Sequence, residues 1–351
     1  VATIPNSRRQ LHLKDTLRCH LVSRDPLIIT AYGNPMAAPT QLCPFLESRK
    51  VYFLLGNWWS FQDPTLLSQT KWLYQKMRES YPLHEFIFLA NAKEECQLLE
   101  FAGLPHYLCH HNAFLDENIF YPMPKVEKTF DAIYTARLDP FKRHFLARKI
   151  PAWALVYYYG NADRKNQDAY FRALRQRMPN MVPLNEDPQT GQYRWFDPQA
   201  MCRAYNAARV GLCLSQLEGG NYATTEYMLC GLPVVSTPSQ GGRDVFFDPE
   251  VTRVVPPDPR AVAEAVAELI ALRIPPREVR LRALVKIREQ REDFIRLVEA
   301  LFAQSGRTDR FADQFDAVFT HKMLTYPGSP EKFLADHGLL ADGTSFPLLP
   351  K

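Results

Sequence analysis

Two glutamates, Glu218 and Glu226, frame the most chemically suggestive stretch of the chain, residues 210–242, VGLCLSQLEGGNYATTEYMLCGLPVVSTPSQGG. Carboxylates so placed can accept hydrogen bonds from the hydroxyls of a sugar or a ribose. Gly219 and Gly220 permit positive φ and leave no Cβ between backbone and ligand. Asn221 is a good N-cap for a helix over 222–230, with Gly231 as its stop and Pro233 excluding continuation. The free N–H groups at such a helix start form an anion site suited to phosphate. A plainer reading stands beside this one: acids near a helix N-terminus are favourable through the macrodipole with or without a ligand.

Three further groups bear on the chemistry. Arg137 and Lys142 lie five apart, where a strand end gives way to a loop. There a planar fork and a point charge can reach one diphosphate, although a solvated basic turn has the same composition. Asn57, Trp58 and Trp59 follow a strand, and the tryptophans either stack on sugar rings or plug the core. His110 and His111 are neighbours on a loop without a partner acid. Catalytic zinc needs three well-placed ligands, so the pair reads as structural and no metal site is expected.

The elements that position these groups come from the apolar pattern. Buried strands are expected at 27–30, 51–55, 84–90, 107–109, 130–135, 153–159, 181–184, 210–214, 234–235 and 254–255. Helices are expected at 66–78, 93–102, 168–178, 198–208, 222–230 and 259–272, then one or two long helices over 277–304. Leu284, Ile287, Phe294, Val298 and Leu301 give the last segment an apolar stripe. Residues 32–35 read as a turn, and 1–25 are too polar to assign. Strands alternating with helices at this spacing argue for parallel, doubly wound sheets, whose ligands bind beyond the carboxyl ends of the strands.

At 351 residues two domains are expected. We divide the chain into a first unit, 1–127, a second, 128–325, and a tail, 326–351, packing on the surface. The proline-bearing segment 116–128 is the hinge. An apolar fraction of 46%, a charged fraction of 23% and a net charge of +4 describe an ordinary globular protein with no case for nucleic acid. Seven cysteines without a C-x-x-C pair read as reduced thiols of a cytoplasmic protein. No apolar run is long enough to span a membrane. Arg8, Arg9, Lys14, Asp15 and Arg18 interrupt any signal-peptide pattern. The basic excess over 273–296 reads as a solvated face, with peripheral contact to an anionic membrane as the lesser alternative.

Glu218-Gly-Gly-Asn-Tyr-Ala-Thr-Thr-Glu226, followed by Gly231-Leu-Pro-Val-Val235 and Gly241-Gly242, resembles the donor-site signature of retaining glycosyltransferases of family 4 (glycosyl transferases group 1). Ala136-Arg137-Leu138-Asp139 with Lys142 is similar to that family's R-L-x-x-x-K element, and residues 258–269 to its alanine-rich helix. The resemblance implies a GT-B fold: two Rossmann-like doubly wound domains facing a cleft, with a nucleotide-diphospho-sugar as donor substrate and no cofactor. It implies that Arg137 and Lys142 neutralise the diphosphate and that the amides of Gly219, Gly220, Asn221, Tyr222 and Ala223 bind its oxygens. Glu218 would hold hydroxyls of the transferred sugar, and Glu226 those of the ribose. The acceptor, whether saccharide, lipid-linked or protein, is open. The chain departs from the pattern in its short first domain, and in presenting Gly56-Asn57-Trp58 where family members often carry a histidine. A nucleotide-sugar epimerase or a catalytically silent binding module on the same fold are the alternatives.

Overall fold

In the computed structural model, which describes residues 17–160, 162–320 and 328–340, the apolar runs collect into two sheets. The first is built from β1 (Cys19–Arg24), β2 (Leu27–Gly33), α1 (Ala37–Leu46), β3 (Val51–Asn57), α2 (Pro64–Ser80), β4 (His84–Ala90), α3 (Lys93–Phe101) and β5 (His106–Leu108). Its strands lie side by side in chain order, β1 antiparallel to β2 and the rest parallel. Right-handed crossovers that always step the same way place α1, α2 and α3 on one face. There Leu42, Leu46, Met77 and Leu99 pack on Ile29, Phe53, Phe86 and Phe88. The alternate residues Ile28, Tyr52 and Leu54 face the other way into a second core. Burial on both faces is why β2 and β3 read as unbroken apolar runs.

The second sheet comprises β6 (Phe130–Arg137), β7 (Trp153–Tyr158), α4 (Arg164–Arg177), β8 (Met181–Pro183), α5 (Pro198–Asn206), β9 (Ala208–Cys213), α6 (Tyr222–Leu229), β10 (Val234–Ser236), β11 (Thr252–Val254) and α7 (Pro259–Ala271). All pairings are parallel, in the order β11-β10-β9-β6-β7-β8. Helices α4 and α7 cover one face, α5 and α6 the other. Strand order reverses between β6 and β9, which opens a crevice at their carboxyl ends.

Helix α8 (Pro276–Gln304) is a single element serving both sheets. Val279, Ala283 and Ile287 join the core beneath α5 and α6. Phe294, Leu297, Val298 and Leu301 instead cover the open face of the first sheet, together with Phe311, Phe319 and Phe315 of α9 (Phe315–Val318). Helix α10 (Pro330–Asp336) then returns Phe333 and Leu334 to the α1–α3 face. The polypeptide that completes the first sheet thus comes from beyond residue 290. Of the tail expected to pack on the surface, only 328–340 falls within the described residues.

Four elements, β1, α1, α9 and α10, lie where no element was expected. Helix α1 carries Pro39 in its first turn, where the N–H has no intrahelical acceptor anyway, and Pro44 inside. Two prolines in ten residues hide a helix whose Leu42, Cys43 and Leu46 are fully buried. Strand β2 also runs on through Gly33, paired with Asn57, into the segment read as a turn.

Candidate active site

The reversal point brings the ends of β6 and β9 together. Beyond β6 the chain makes a tight 3-10 turn at Pro140–Lys142, and Arg143 sits in the left-handed region at φ 52°. Beyond β9, Leu217 bridges to Gln240, and the Glu218 N–H donates to the Gln240 carbonyl at 3.0 Å. A Cβ on Gly241, at φ 103°, would stand 1.6 Å from the Glu218 carbonyl oxygen, so only glycine lets these strands of chain pass. Asn221, at φ 51°, caps α6 by accepting from the Thr224 N–H at 3.1 Å. The N–H groups of Gly219, Gly220, Asn221, Tyr222 and Ala223 donate to no acceptor among the described residues.

Lys142 and Glu218 form a buried ion pair across this point. The Ser215 hydroxyl donates to the same carboxylate oxygen, Oε1. Burial alone would raise the Glu218 carboxyl, but Lys142 and Ser215 outweigh it and hold the group below its ordinary value. Burial likewise works against the Lys142 ammonium, and Glu218 more than offsets it, so the pair is doubly charged. Glu218 Oε2 has no partner among the described residues.

Arg137 stands beside this pair with about a quarter of its side chain exposed. Its Nε lies 2.9 Å from Asp139 Oδ2, close enough for an ion pair but off-axis for a hydrogen bond. It packs over Gly160, where a Cβ would meet Arg137 Cδ at 2.3 Å. Glu226, one turn into α6, is buried and accepts from the Tyr205 hydroxyl at 2.6 Å. Burial pushes its carboxyl up to about 7, with the Tyr205 bond opposing. One glutamate is therefore fixed as a carboxylate, and the other is poised between forms near neutrality.

The first sheet meets this turn directly. A Cβ on Gly219 would lie 2.2 Å from the Trp58 carbonyl oxygen, so the loop after β3 rests on the glycine turn. Asn57 is buried, and its Nδ2 has no partner among the described residues. Trp58 is 42% exposed with Arg18 stacked 3.7 Å above it, so it does not plug the core. Trp59 reaches the turn after β6 edge-on at Phe141, ring centroids 5.8 Å apart.

Residues that sequence reasoning left without a role crowd the same place. Asn112 Nδ2 donates to the carbonyls of Gly220 and Asn221 at 3.1 and 3.2 Å and to Thr225 Oγ1 at 2.7 Å. His110 Nε2 lies 3.0 Å from the Gly242 carbonyl, and a Cβ on Gly220 would collide with the His111 ring. His111 packs edge-on against Tyr32 and Tyr222, whose ring centroids lie 5.9 Å apart. Burial holds both imidazoles neutral, that of His110 down to about 3. The histidine pair thus follows the end of β5 onto the glycine turn; the strand-end rule that singled out Asn57 would have found it too. Among the described residues no three His, Cys, Asp or Glu side chains group as metal ligands.

Two α/β sheets, parallel but for β1, whose strand ends meet over a glycine turn constitute a GT-B fold, and solved structures share it. The chain superimposes on sucrose-phosphate synthase from Thermosynechococcus elongatus with a TM-score of 0.59 at 18% identity, over 79% of this chain and 74% of that one. It superimposes on Anabaena HepE in complex with UDP with a TM-score of 0.56 at 16% identity, over 78% of each chain. The UDP-glucose complex of HepE gives 0.57 at 14% identity over the same shares. Residues 146–271 match the family described as Glycosyl transferases group 1. No curated protein matches the sequence significantly. No helix among the described residues is long and apolar enough to cross a membrane.

Proposed function

We propose that the protein transfers a sugar from a nucleotide-diphospho-sugar to an acceptor hydroxyl, with retention and without a metal ion. The observation that carries this reading is the charged Lys142–Glu218 pair beside five uncommitted backbone N–H groups at the reversal point. In this reading 128–272 is the donor-binding unit. Arg137, Lys142 and the amides of Gly219 to Ala223 hold the diphosphate. They stabilise the charge that develops on it as the glycosidic bond breaks, which fixed cations and dipoles do at no reorganisation cost. Glu218 Oε1 is engaged by Lys142 and Ser215, which leaves Oε2 to accept from hydroxyls of the transferred sugar. That engagement suits a positioning acceptor better than a nucleophile. Glu226, joined to Tyr205, meets the ribose. Trp58, exposed on the first sheet's loop, and Asn57, with its unpartnered Nδ2, face the acceptor.

HepE is described in complex with UDP and UDP-glucose, which makes uridine donors the first to try. Thermal shift with a panel of nucleotide-sugars should single out one donor, because a ligand bound only by the folded state raises its stability. Transfer or hydrolysis of that donor should persist in chelator, and product analysis should show the anomeric configuration kept. The reading fails if no donor is turned over and Arg137→Ala and Glu218→Gln leave nucleotide binding unchanged. Interconversion of donor sugars without transfer would mark an epimerase instead.

A further inference from the structure

A cavity of about 520 Å³ opens on the α4 side of the second sheet, at its β8 edge. That is the size of a small-molecule site. It shares no wall residue with the Lys142–Glu218 pair or the glycine turn. Arg164, Asp168, Arg172 and Arg175 follow one another at steps of four, four and three, so α4 turns them all to one wall. The floor is aromatic. Tyr157 is buried against Phe171, and the half-buried rings of Tyr159 and Tyr193 meet edge to face with centroids 5.2 Å apart.

Both acids of the wall are already engaged. Asp168 accepts from the Tyr159 hydroxyl at 2.8 Å and lies 3.6 Å from Arg164 Nε. Glu186 accepts from the Tyr157 hydroxyl at 3.2 Å and from Arg175 at 3.0 Å. The Arg164 guanidinium is stacked 3.2 Å from the Tyr159 ring centroid. The Arg172 guanidinium makes no ion pair or hydrogen bond among the described residues, although it lines the cavity. The cavity therefore presents one uncommitted cation, two more on exposed and weakly held side chains, and aromatic surface. A guanidinium grips phosphate or carboxylate through paired hydrogen bonds, and tyrosine rings take the C–H face of a pyranose.

We propose that this cavity binds an anionic sugar, a pyranose bearing a phosphate or a carboxylate, at a place distinct from the donor turn. The anion pairs with Arg172, the ring lies on Tyr193, and the hydroxyls reach Asp168, Glu186 and Gln192.

Calorimetric titration of the full chain with glucose 6-phosphate, glucuronate, glucose and inorganic phosphate tests this without reference to transferase activity. At least one of the two anionic sugars should bind, and which one separates phosphate from carboxylate recognition. Glucose and phosphate alone should bind at least about tenfold more weakly, the scale of one lost charge-assisted contact. Arg172→Ala and Tyr193→Ala should each weaken the anionic sugar by about tenfold or more, with circular dichroism and melting temperature unchanged for the exposed Arg172→Ala. Saturating UDP should not displace it. The proposal is overturned if neither anionic sugar binds at millimolar concentration, if binding survives both substitutions, or if UDP competes, which would place the ligand in the donor crevice. Because binding is read directly, failure here leaves the donor reading standing, and the converse also holds.

Discussion

Lys142 and Glu218 are stable where they are only as a pair. Each is nearly excluded from water, and removing one partner strands the other's charge. Lys142→Ala should cost roughly 3–5 kcal/mol by urea unfolding, while Lys142→Met combined with Glu218→Met should recover much of that stability. Transferase activity should be lost in both, which separates the pair's role in folding from its role at the diphosphate. Glu226 gives a second test at this scale. Its folded carboxyl stands near 7 against an ordinary 4.5, because burial penalises the charge. Between those values the folded chain keeps a proton that the unfolded chain releases, so stability falls as pH rises from about 4.5 to 7 and then levels. The fall attributable to this group is about 3 kcal/mol. Glu226→Gln should flatten it, and an unchanged pH profile of unfolding would refute the assignment.

At the scale of elements, the glycine turn is held by close backbone approach as well as by the side chains of His110, Asn112 and Asn221. Gly241→Ala must fit a Cβ against the Glu218 carbonyl at a φ that L-residues avoid. We expect a loss of at least about 3 kcal/mol, visible as a lowered melting temperature, and weakened donor binding as the turn bearing Glu218 shifts. Gly191→Ala is the control: its Cβ meets nothing within 4 Å, so only its positive φ of 66° is at stake. Equal losses at the two positions would show that close approach contributes nothing. Such turns explain which half of the site is legible in the sequence. Glycines, N-cap and both glutamates of the donor half fall within one strand-turn-helix segment, where local rules apply. The other half does not. Tyr32 and His110 to Asn112 come from the ends of β2 and β5. Their contacts to the turn span more than a hundred residues, as in Asn112 to Gly220 or His110 to Gly242. The edge rule predicts that such loops converge, but not which side chains touch. Likewise the apolar stripe of α8 was readable as a stripe, while its division between two cores was not. Leu284 and Ile287 serve one sheet and Phe294, Val298 and Leu301 the other, and nothing in helical periodicity records a change of partner.

That division decides how the whole molecule unfolds. The first sheet carries its own helices on one face only. Its other face is closed by Phe294, Leu297 and Phe302 of α8 and by Phe311, Phe315 and Phe319 beyond it, while Phe333 and Leu334 finish the first face. The two cores of the second sheet contain no residue beyond Ile287. A chain ending at residue 305 should therefore lose Phe311, Phe315, Phe319, Phe333, Leu334 and Leu339 from the first sheet's cores and no core residue from the second. Large-to-small changes in a packed core cost about 3–5 kcal/mol for a single phenylalanine, so this loss exceeds the stability an ordinary domain has to spare. Calorimetry of the shortened chain should show the transition split, the second sheet melting near the full-length temperature and the first at a much lower one or not at all. Hydrogen exchange should locate the early-opening amides in β2, β3 and β4. Phe294→Ala in the full-length chain should act the same way in miniature, lowering protection in those strands before β6, β7 or β9. A shortened chain that melts in one transition at the original temperature would show that the first sheet stands on α1, α2 and α3 alone, and that α8 joins the two halves without stabilising either.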